Sequence, residues 1–396
     1  MVVNLHSKFT TMYTRLLTNP NYSFFLFGPR GTGKTTWLRT HYPGALWKNL
    51  LLDADYLPLL SNPACLAAEV LALPPASWVV VDEVQKVPAL LNEIHNLISL
   101  HGSHYLFAMS GSSARKLRRL DVNLLAGRAI ERQFFPLNSA EMAADYDLNE
   151  ALRVGTLPSV VQTPLMAVDI LNAYVGTYLK QEIQQETLIS DVAGFHRFLK
   201  IAAIMNGQVL NVSSIARDAA VARSTVERYF EILVDTLIGF RLPGWQPRMK
   251  VREKVTPKFY FFDPGVVRAI SGTIYTKVGD LEVGGLLETV VLHELRSAIA
   301  YQNIGGELFY WRTSGGLEVD FIWHRGDEVV AIEVKNSQTW RREYGKALHA
   351  LQGYREGVKA YGVYRGDKVL KVPAGEVLPV EEFFRRLHAG AVLGGG

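Results

Sequence analysis

The stretch Ser23-Phe24-Phe25-Leu26-Phe27-Gly28-Pro29-Arg30-Gly31-Thr32-Gly33-Lys34-Thr35-Thr36 constrains this chain more than any other. It meets the whole phosphate-loop pattern, G-x-x-x-x-G-K-[ST], in the right local context. An apolar run reads as a buried strand, glycines follow, and Lys34 and Thr35 open a helix. Backbone N–H groups of the glycine-rich turn and the helix start must point at phosphate oxygens, with Lys34 reaching the outer phosphates and Thr35 ligating Mg²⁺. Glycine permits that approach where a Cβ would obstruct it. The competing reading is a glycine-rich turn before an ordinary helix. Strand, spacing, lysine and hydroxyl all favour a nucleoside triphosphate site, with ATP and Mg²⁺ as the expected cofactors.

At 396 residues the chain suggests two or three domains of ordinary size. Charged residues make up 20% and hydrophobic ones 48%, and no apolar run approaches the roughly 20 residues that span a bilayer. The N-terminus does not resemble a signal peptide, so a cytoplasmic location is expected. A single cysteine, Cys65, leaves no intrachain disulfide or cysteine-cluster metal site. The net charge of +4 is mild, so nucleic-acid binding would have to come from local patches.

Residues 5–17 carry apolar side chains at mostly helical spacing and read as a helix leading into the phosphate-loop strand. After the loop comes a helix to about Tyr42, stopped by Pro43-Gly44. Leu50-Leu51-Leu52 then reads as a second buried strand, closing on Asp53 and Asp55, which either touch the nucleotide site or are ordinary loop acids. The run Trp78-Val79-Val80-Val81-Asp82-Glu83 is a strand ending in two carboxylates, as in a Walker B element. Asp82 would hold Mg²⁺ through water, and Glu83 would orient and activate the attacking water. A fourth strand, Tyr105–Met109, ends at Ser110-Gly111-Ser112-Ser113. There Ser110 is either a sensor of the γ-phosphate or a simple turn residue. A basic helix with Arg115, Lys116, Arg118 and Arg119 follows, then Leu124-Leu125-Ala126-Gly127-Arg128 before a strand at 129–134. Arg128 is placed as an arginine finger acting on a neighbouring copy would be, against a surface salt bridge as the alternative.

These elements, together with Phe135-Pro136-Leu137, resemble the prokaryotic AAA-type (AAA+) P-loop ATPases that carry a C-terminal domain of unknown function with a restriction-endonuclease-like core. The resemblance implies an α/β chain with four parts: an ATPase core at 1–137, a helical lid and connector at 138–195, a winged-helix-like segment at 196–257, and a nuclease-like α/β domain at 258–396. Arg153 would be a second sensor in the lid. Tyr178–Ile183 resembles a family helix whose chemistry is not evident.

The stretch 212–229 has the rhythm of a helix-turn-helix, with Ile215, Ala219, Val221 and Val226 apolar and Ser224 able to cap the second helix. That helix would present Arg223, Thr225 and Arg228 to a major groove. A protein-binding or lid module is the alternative. Downstream, Arg241, Arg248, Lys250, Arg252, Lys254 and Lys258 outnumber Glu253 and interleave with Trp245, which suits phosphate contact or a solvated connector.

The last third holds an apolar helix with one acid, Glu288, and two strands, 317–323 with Asp320 and 329–335 with Glu333 and Lys335. Period-two alternation puts Glu333 and Lys335 on one face. This segment is similar to the PD-(D/E)xK nucleases, although Val319 stands where the full motif has proline. The resemblance implies that Asp320 and Glu333 hold a divalent cation, Glu288 completes the shell, and Lys335 steadies the hydroxide or scissile phosphate. Gln352 would be an accessory polar residue. The expected activity is ATP turnover coupled to DNA binding, remodelling or Mg²⁺-dependent cleavage by a homo-oligomer, a hexamer being one option. A toxin or defence module would share these residues. The alternative is an ATP-dependent switch whose nuclease-like domain docks a protein partner.

Overall fold

The computed structural model describes residues 13–112, 125, 127–179, 191–246 and 255–394. Several sequence expectations lie outside those residues: most of the N-terminal helix, Ser113, the basic helix with Arg115, Lys116, Arg118 and Arg119, Ala126, Lys180–Ile183, and Arg248, Lys250, Arg252, Glu253 and Lys254. Two compact units make up the chain. One comprises Arg15–Pro136 with Asp235–Ile238; the other comprises Leu137–Val234 and the chain from Gly239 on, together with Tyr13 and Thr14.

The first unit is built on a five-stranded parallel sheet in the order β2-β3-β4-β1-β5. Its strands are β1 (Phe24–Phe27), β2 (Leu46–Asn49), β3 (Ser77–Asp82), β4 (Tyr105–Gly111) and β5 (Ile130–Gln133). Helices α1 (Lys34–His41), α2 (Asp53–Ser61), α3 (Cys65–Leu71) and α4 (Leu90–His101) connect them. Parallel strands need such crossovers, which cover both faces, and that is why β1 is apolar and buried at every position. On one face Phe25, Phe27, Val81 and Met109 pack with Leu90, Leu91, Ile94 and Leu97 of α4. On the other, Phe24 meets Trp37, Tyr42 and Trp78. Each such side chain contributes about 1.5–3 kcal/mol by leaving water. The second strand is not Leu50–Leu52: β2 ends at Asn49, and only Leu50 enters the core. Leu51 and Leu52 are exposed, and Asp53 and Asp55 form the first turn of α2. Asp55 accepts the Asn49 N–H (2.8 Å), a turn-closing task away from any phosphate chemistry.

The second unit opens with short helices (Leu148–Val154, Pro158–Gln162, Ala167–Ala173) and continues with Val192–Ile204, Val212–Ala219 and Arg223–Asp235. The antiparallel pair β6 (Gly239–Leu242) and β7 (Lys258–Phe261) follows. Asn211 caps Val212–Ala219 by accepting the Ser214 N–H (3.0 Å). Ser224 is no cap, because its helix already begins at Arg223. Next come the helix Pro264–Ser271, the 22-residue helix Asp280–Tyr301 and a mixed six-stranded sheet. That sheet runs β12-β13-β11-β10-β9-β8, with β8 (Glu307–Arg312), β9 (Glu318–Arg325), β10 (Glu328–Lys335), β11 (Lys359–Tyr364), β12 (Leu370–Val372) and β13 (Gly375–Pro379). The helix Lys346–Tyr354 lies between β10 and β11, which pair in parallel. Its Leu348 and Leu351 pack on Val319, Ile322 and Ala331, with Trp245 in the same cluster. Trp245 is therefore a core residue.

Two buried carboxylates tie distant segments of this unit. Asp263 accepts the Thr156 N–H (2.8 Å) and caps Pro264–Ser271 through the Val266 N–H (3.1 Å). Glu294, in the middle of the long helix, accepts both the Ser139 N–H (2.8 Å) and the Ser139 hydroxyl (2.9 Å) and meets His388 Nε2 at 2.5 Å. Among the described residues, no helix is long and apolar enough to cross a membrane.

Candidate functional site

Parallel strands deliver their carboxyl ends to one edge of a sheet, and that edge carries the phosphate loop. Leu26 pairs with Ser110 and Phe27 with Gly111, so the loop leaves β1 beside the end of β4. Gly31 (φ 81°) and Gly33 (φ 94°) occupy the left-handed region. A Cβ on Gly28 would stand 2.2 Å from the Phe134 carbonyl oxygen. Pro29 is buried and accepts the Thr32 hydroxyl (2.8 Å), while Arg30 is half-buried and Thr36 exposed. Lys34 donates to the Gly28 (2.8 Å) and Pro29 (3.1 Å) carbonyls.

Thr35 and Ser110 converge on one carboxylate. The Thr35 hydroxyl donates to Asp82 Oδ2 (2.7 Å), and the Ser110 hydroxyl donates to Asp82 Oδ1. Ser110 Oγ also accepts the Glu83 N–H (3.2 Å). Glu83 itself lies one residue past β3 with φ 62°, a turn that swings its side chain out of the sheet. Its carboxylate accepts Gln85 Nε2 (2.5 Å) and the Ser112 hydroxyl (3.5 Å). Asp82 is fully buried and, with Thr35, offers the oxygen donors that suit Mg²⁺. Arg128 is half-buried in the turn before β5, its N–H on the Leu125 carbonyl (2.6 Å).

Two contributors here escaped the sequence reading. Arg15 braces the loop from outside the motif, donating to the Thr32 (2.8 Å) and Phe135 (2.7 Å) carbonyls and lying 4.0 Å over the Phe134 ring. Gln85 positions Glu83; its place two residues after the acid pair was the available signal.

A second polar cluster lies in the other unit. Lys335 meets Glu333 at 2.5 Å, as the alternation of β10 requires. Asp320 Oδ2 accepts the Val334 N–H (2.8 Å). Glu288, from the long helix, accepts the Tyr260 hydroxyl (2.6 Å). Lys258 is only 3% exposed and sits among Glu318 (2.6 Å), Glu288 (3.6 Å) and Asp320 (3.8 Å). Burial works against its charge, but the Glu288, Asp320 and Glu318 carboxylates outweigh burial and hold the ammonium above the ordinary lysine range. Burial, then the Asp320 charge, pushes Glu288 up to about 7. The same two causes raise Glu333 well above the usual carboxylate range.

Lys258 is thus a buried counter-ion, not the surface phosphate contact that the basic stretch suggests. Glu288 is engaged by Lys258 and Tyr260 and does not complete a three-carboxylate shell. Among the described residues no three carboxylate, imidazole or thiol side chains form a metal cage. Glu333 Oε2 is nonetheless buried with no hydrogen-bond partner, which fits a cation shared with Asp320. Gln352 donates to the Val358 (3.2 Å) and Ala374 (2.9 Å) carbonyls and serves packing. Arg153 pairs with Glu150 (2.6 Å). Arg223 is exposed and Thr225 and Arg228 half-buried on one helix; Arg241 donates to the Glu227 carbonyl (3.4 Å).

Three family profiles match parts of the chain: an AAA domain over residues 20–143, a domain of unknown function (DUF8612) over 145–276, and a domain of unknown function (DUF4143) over 283–383. Uncharacterized proteins of Mycobacterium tuberculosis and Mycobacterium bovis are each 27% identical over 366 residues, 89% of this chain and 80% of the relative. Among solved structures, Cdc6p of Pyrobaculum aerophilum (15% identity, TM-score 0.27) covers 65% of this chain and 90% of its own. A RuvB variant of Thermotoga maritima (18%, 0.32) covers 56% and 82%. The ADP form of the ORC2 protein of Aeropyrum pernix (11%, 0.32) covers 64% and 88%. These overlaps are too loose to carry an argument. The AAA profile and the parallel sheet together make residues 20–143 a P-loop module of AAA type.

Proposed function

We propose that the chain hydrolyses ATP to ADP and phosphate, and that this cycle drives action on DNA. The observation that carries the first half is the hydrogen-bonded chain Thr35–Asp82–Ser110–Glu83 at the sheet edge that also carries Lys34 in the phosphate loop. Lys34 leaves the Gly28 and Pro29 carbonyls to reach the β- and γ-phosphates. Thr35 and Asp82 would hold Mg²⁺, which would neutralise charge on the phosphate oxygens. Glu83 orients the attacking water and takes its proton as the O–P bond to the leaving ADP breaks. Ser110 reports on the γ-phosphate through the Glu83 backbone, and Arg128 reaches a neighbouring copy's site in a homo-oligomer. Purified protein should turn over ATP, and Lys34→Ala should abolish it; unchanged turnover in Lys34→Ala would overturn this reading.

For the second half, support comes from the helix pair Val212–Ala219, capped by Asn211, and Arg223–Asp235, with Arg223 exposed. Asp320 and Glu333 would hold a divalent cation beside Lys335, where hydroxide could be generated for phosphodiester cleavage. DNA should stimulate turnover with a steep salt dependence, and cleavage in Mg²⁺ should vanish in Asp320→Ala. Salt-insensitive turnover that no DNA alters would sink the DNA partner. A second reading, a switch whose C-terminal domain docks a protein, is favoured by one observation: an ammonium stands among the carboxylates that cleavage would need.

A further inference from the structure

β7 presents Lys258 and Tyr260 on one face, because alternate residues of a strand share a side. Both reach Glu288: the Tyr260 hydroxyl donates at 2.6 Å and the Lys258 ammonium lies at 3.6 Å. The same ammonium meets Glu318 and Asp320, which alternate on β9, at 2.6 and 3.8 Å. At 3% exposure it cannot reach a surface phosphate. In the same cluster Glu333 is 4% exposed; its Oε1 meets the Lys335 ammonium at 2.5 Å, and its Oε2 is buried without a hydrogen-bond partner. The cluster therefore holds one unpaired carboxylate oxygen, on Glu333, together with a deeply buried ammonium, that of Lys258.

We propose that Lys258 is a resident cation that competes with a divalent metal ion for the pocket of Glu288, Asp320 and Glu333. The inference rests on the metal reading above and deepens it. A divalent ion needs several carboxylate oxygens turned inward at roughly 2.0–2.6 Å. Asp320 commits Oδ2 to the Val334 N–H and turns Oδ1 towards Lys258, while Glu288 is committed to Lys258 and Tyr260. An ammonium this close repels a second cation strongly where water is excluded. Metal affinity is thus set from β7, the strand that pairs with β6 just after the helix pair. Whatever displaces that ladder displaces the ammonium and opens the pocket.

Mn²⁺ binding to the full chain without nucleotide, followed by the electron paramagnetic resonance of free Mn²⁺, tests this directly. Lys258→Met should bind one ion at least tenfold more tightly than the unaltered protein, and adding Glu333→Gln should erase the gain. In thermal unfolding, Lys258→Met should melt lower in EDTA and recover with Mn²⁺, whereas Lys258→Arg, which keeps the charge, should not respond. Should Lys258→Met fail to fold, Lys258→Gln retains a donor for Glu318 and carries the same expectation. Equal Mn²⁺ affinity in the unaltered and Lys258→Met proteins, or a gain that survives Glu333→Gln, would overturn the proposal. If that equal affinity is tight and lost in Glu333→Gln alone, the metal reading stands and only the competition falls. Absence of binding in every variant removes both.

Discussion

Single residues decide how the phosphate site is wired. Ser110 both donates to Asp82 and accepts the Glu83 N–H, so one hydroxyl joins the two consecutive acids at the end of β3. Ser110→Ala should lower ATP turnover about tenfold, the equivalent of a hydrogen bond of ~1–1.5 kcal/mol, while nucleotide binding measured by fluorescence titration stays within a few-fold. Asp263 offers a pH test in the other unit. Burial pushes its carboxyl from 3.8 up to about 6, against the pull of the Thr156, Val266 and Gly265 N–H groups. The folded state then holds a proton that the unfolded state has released, so stability is greatest below the unfolded value and declines as pH rises through the folded one. Roughly 3 kcal/mol should be lost between pH 4 and 6, and urea titrations of Asp263→Asn should lack that component.

At the level of elements, the loop leaving β1 passes close to the chain just after β5. Gly28→Ala would drive a methyl to 2.2 Å from the Phe134 oxygen. It should cost about 1–3 kcal/mol in denaturant unfolding and abolish nucleotide binding, because the loop cannot shift alone. The strands at this edge were legible in the sequence since each has an apolar run ending in functional residues: Phe24–Phe27 before Gly28, Val79–Val81 before Asp82 and Glu83. Leu50–Leu52 misled for the same reason in reverse. Three consecutive leucines mimic a strand, yet the pairing partner of Val79–Asp82 is Leu46–Asn49, whose Lys48 hides its amphipathic use in ion pairs with Glu69 and Asp55. Lys258 misled because charge in a one-dimensional list reads as exposure. Its burial depends on Glu288, Glu318 and Asp320, carboxylates far along the chain that only the tertiary fold brings to it. Gln352 was expected as an accessory polar residue, whereas its amide binds two backbone carbonyls.

On the scale of the whole molecule, the nucleotide groups all belong to Arg15–Pro136, and the carboxylate pocket belongs wholly to the other unit. Bound nucleotide at 100 times its Kd should therefore stabilise the first unit by about 2.7 kcal/mol. Hydrogen exchange should slow in β1, β3 and β4, and Lys34→Ala should abolish the slowing; equal slowing in that variant would contradict the assignment.

Glu294 also orders events in time. The first unit's sheet needs only chain from Arg15 to Pro136, and can close early during synthesis. Ser139, by contrast, finds its partner only when the long helix exists, and that carboxylate finds His388 later still. At roughly 5–20 residues per second, the ribosome leaves Ser139 waiting on the order of tens of seconds. A nascent chain thus carries a closed parallel sheet ahead of an unfinished second unit, the interval in which a chaperone would have most to shield.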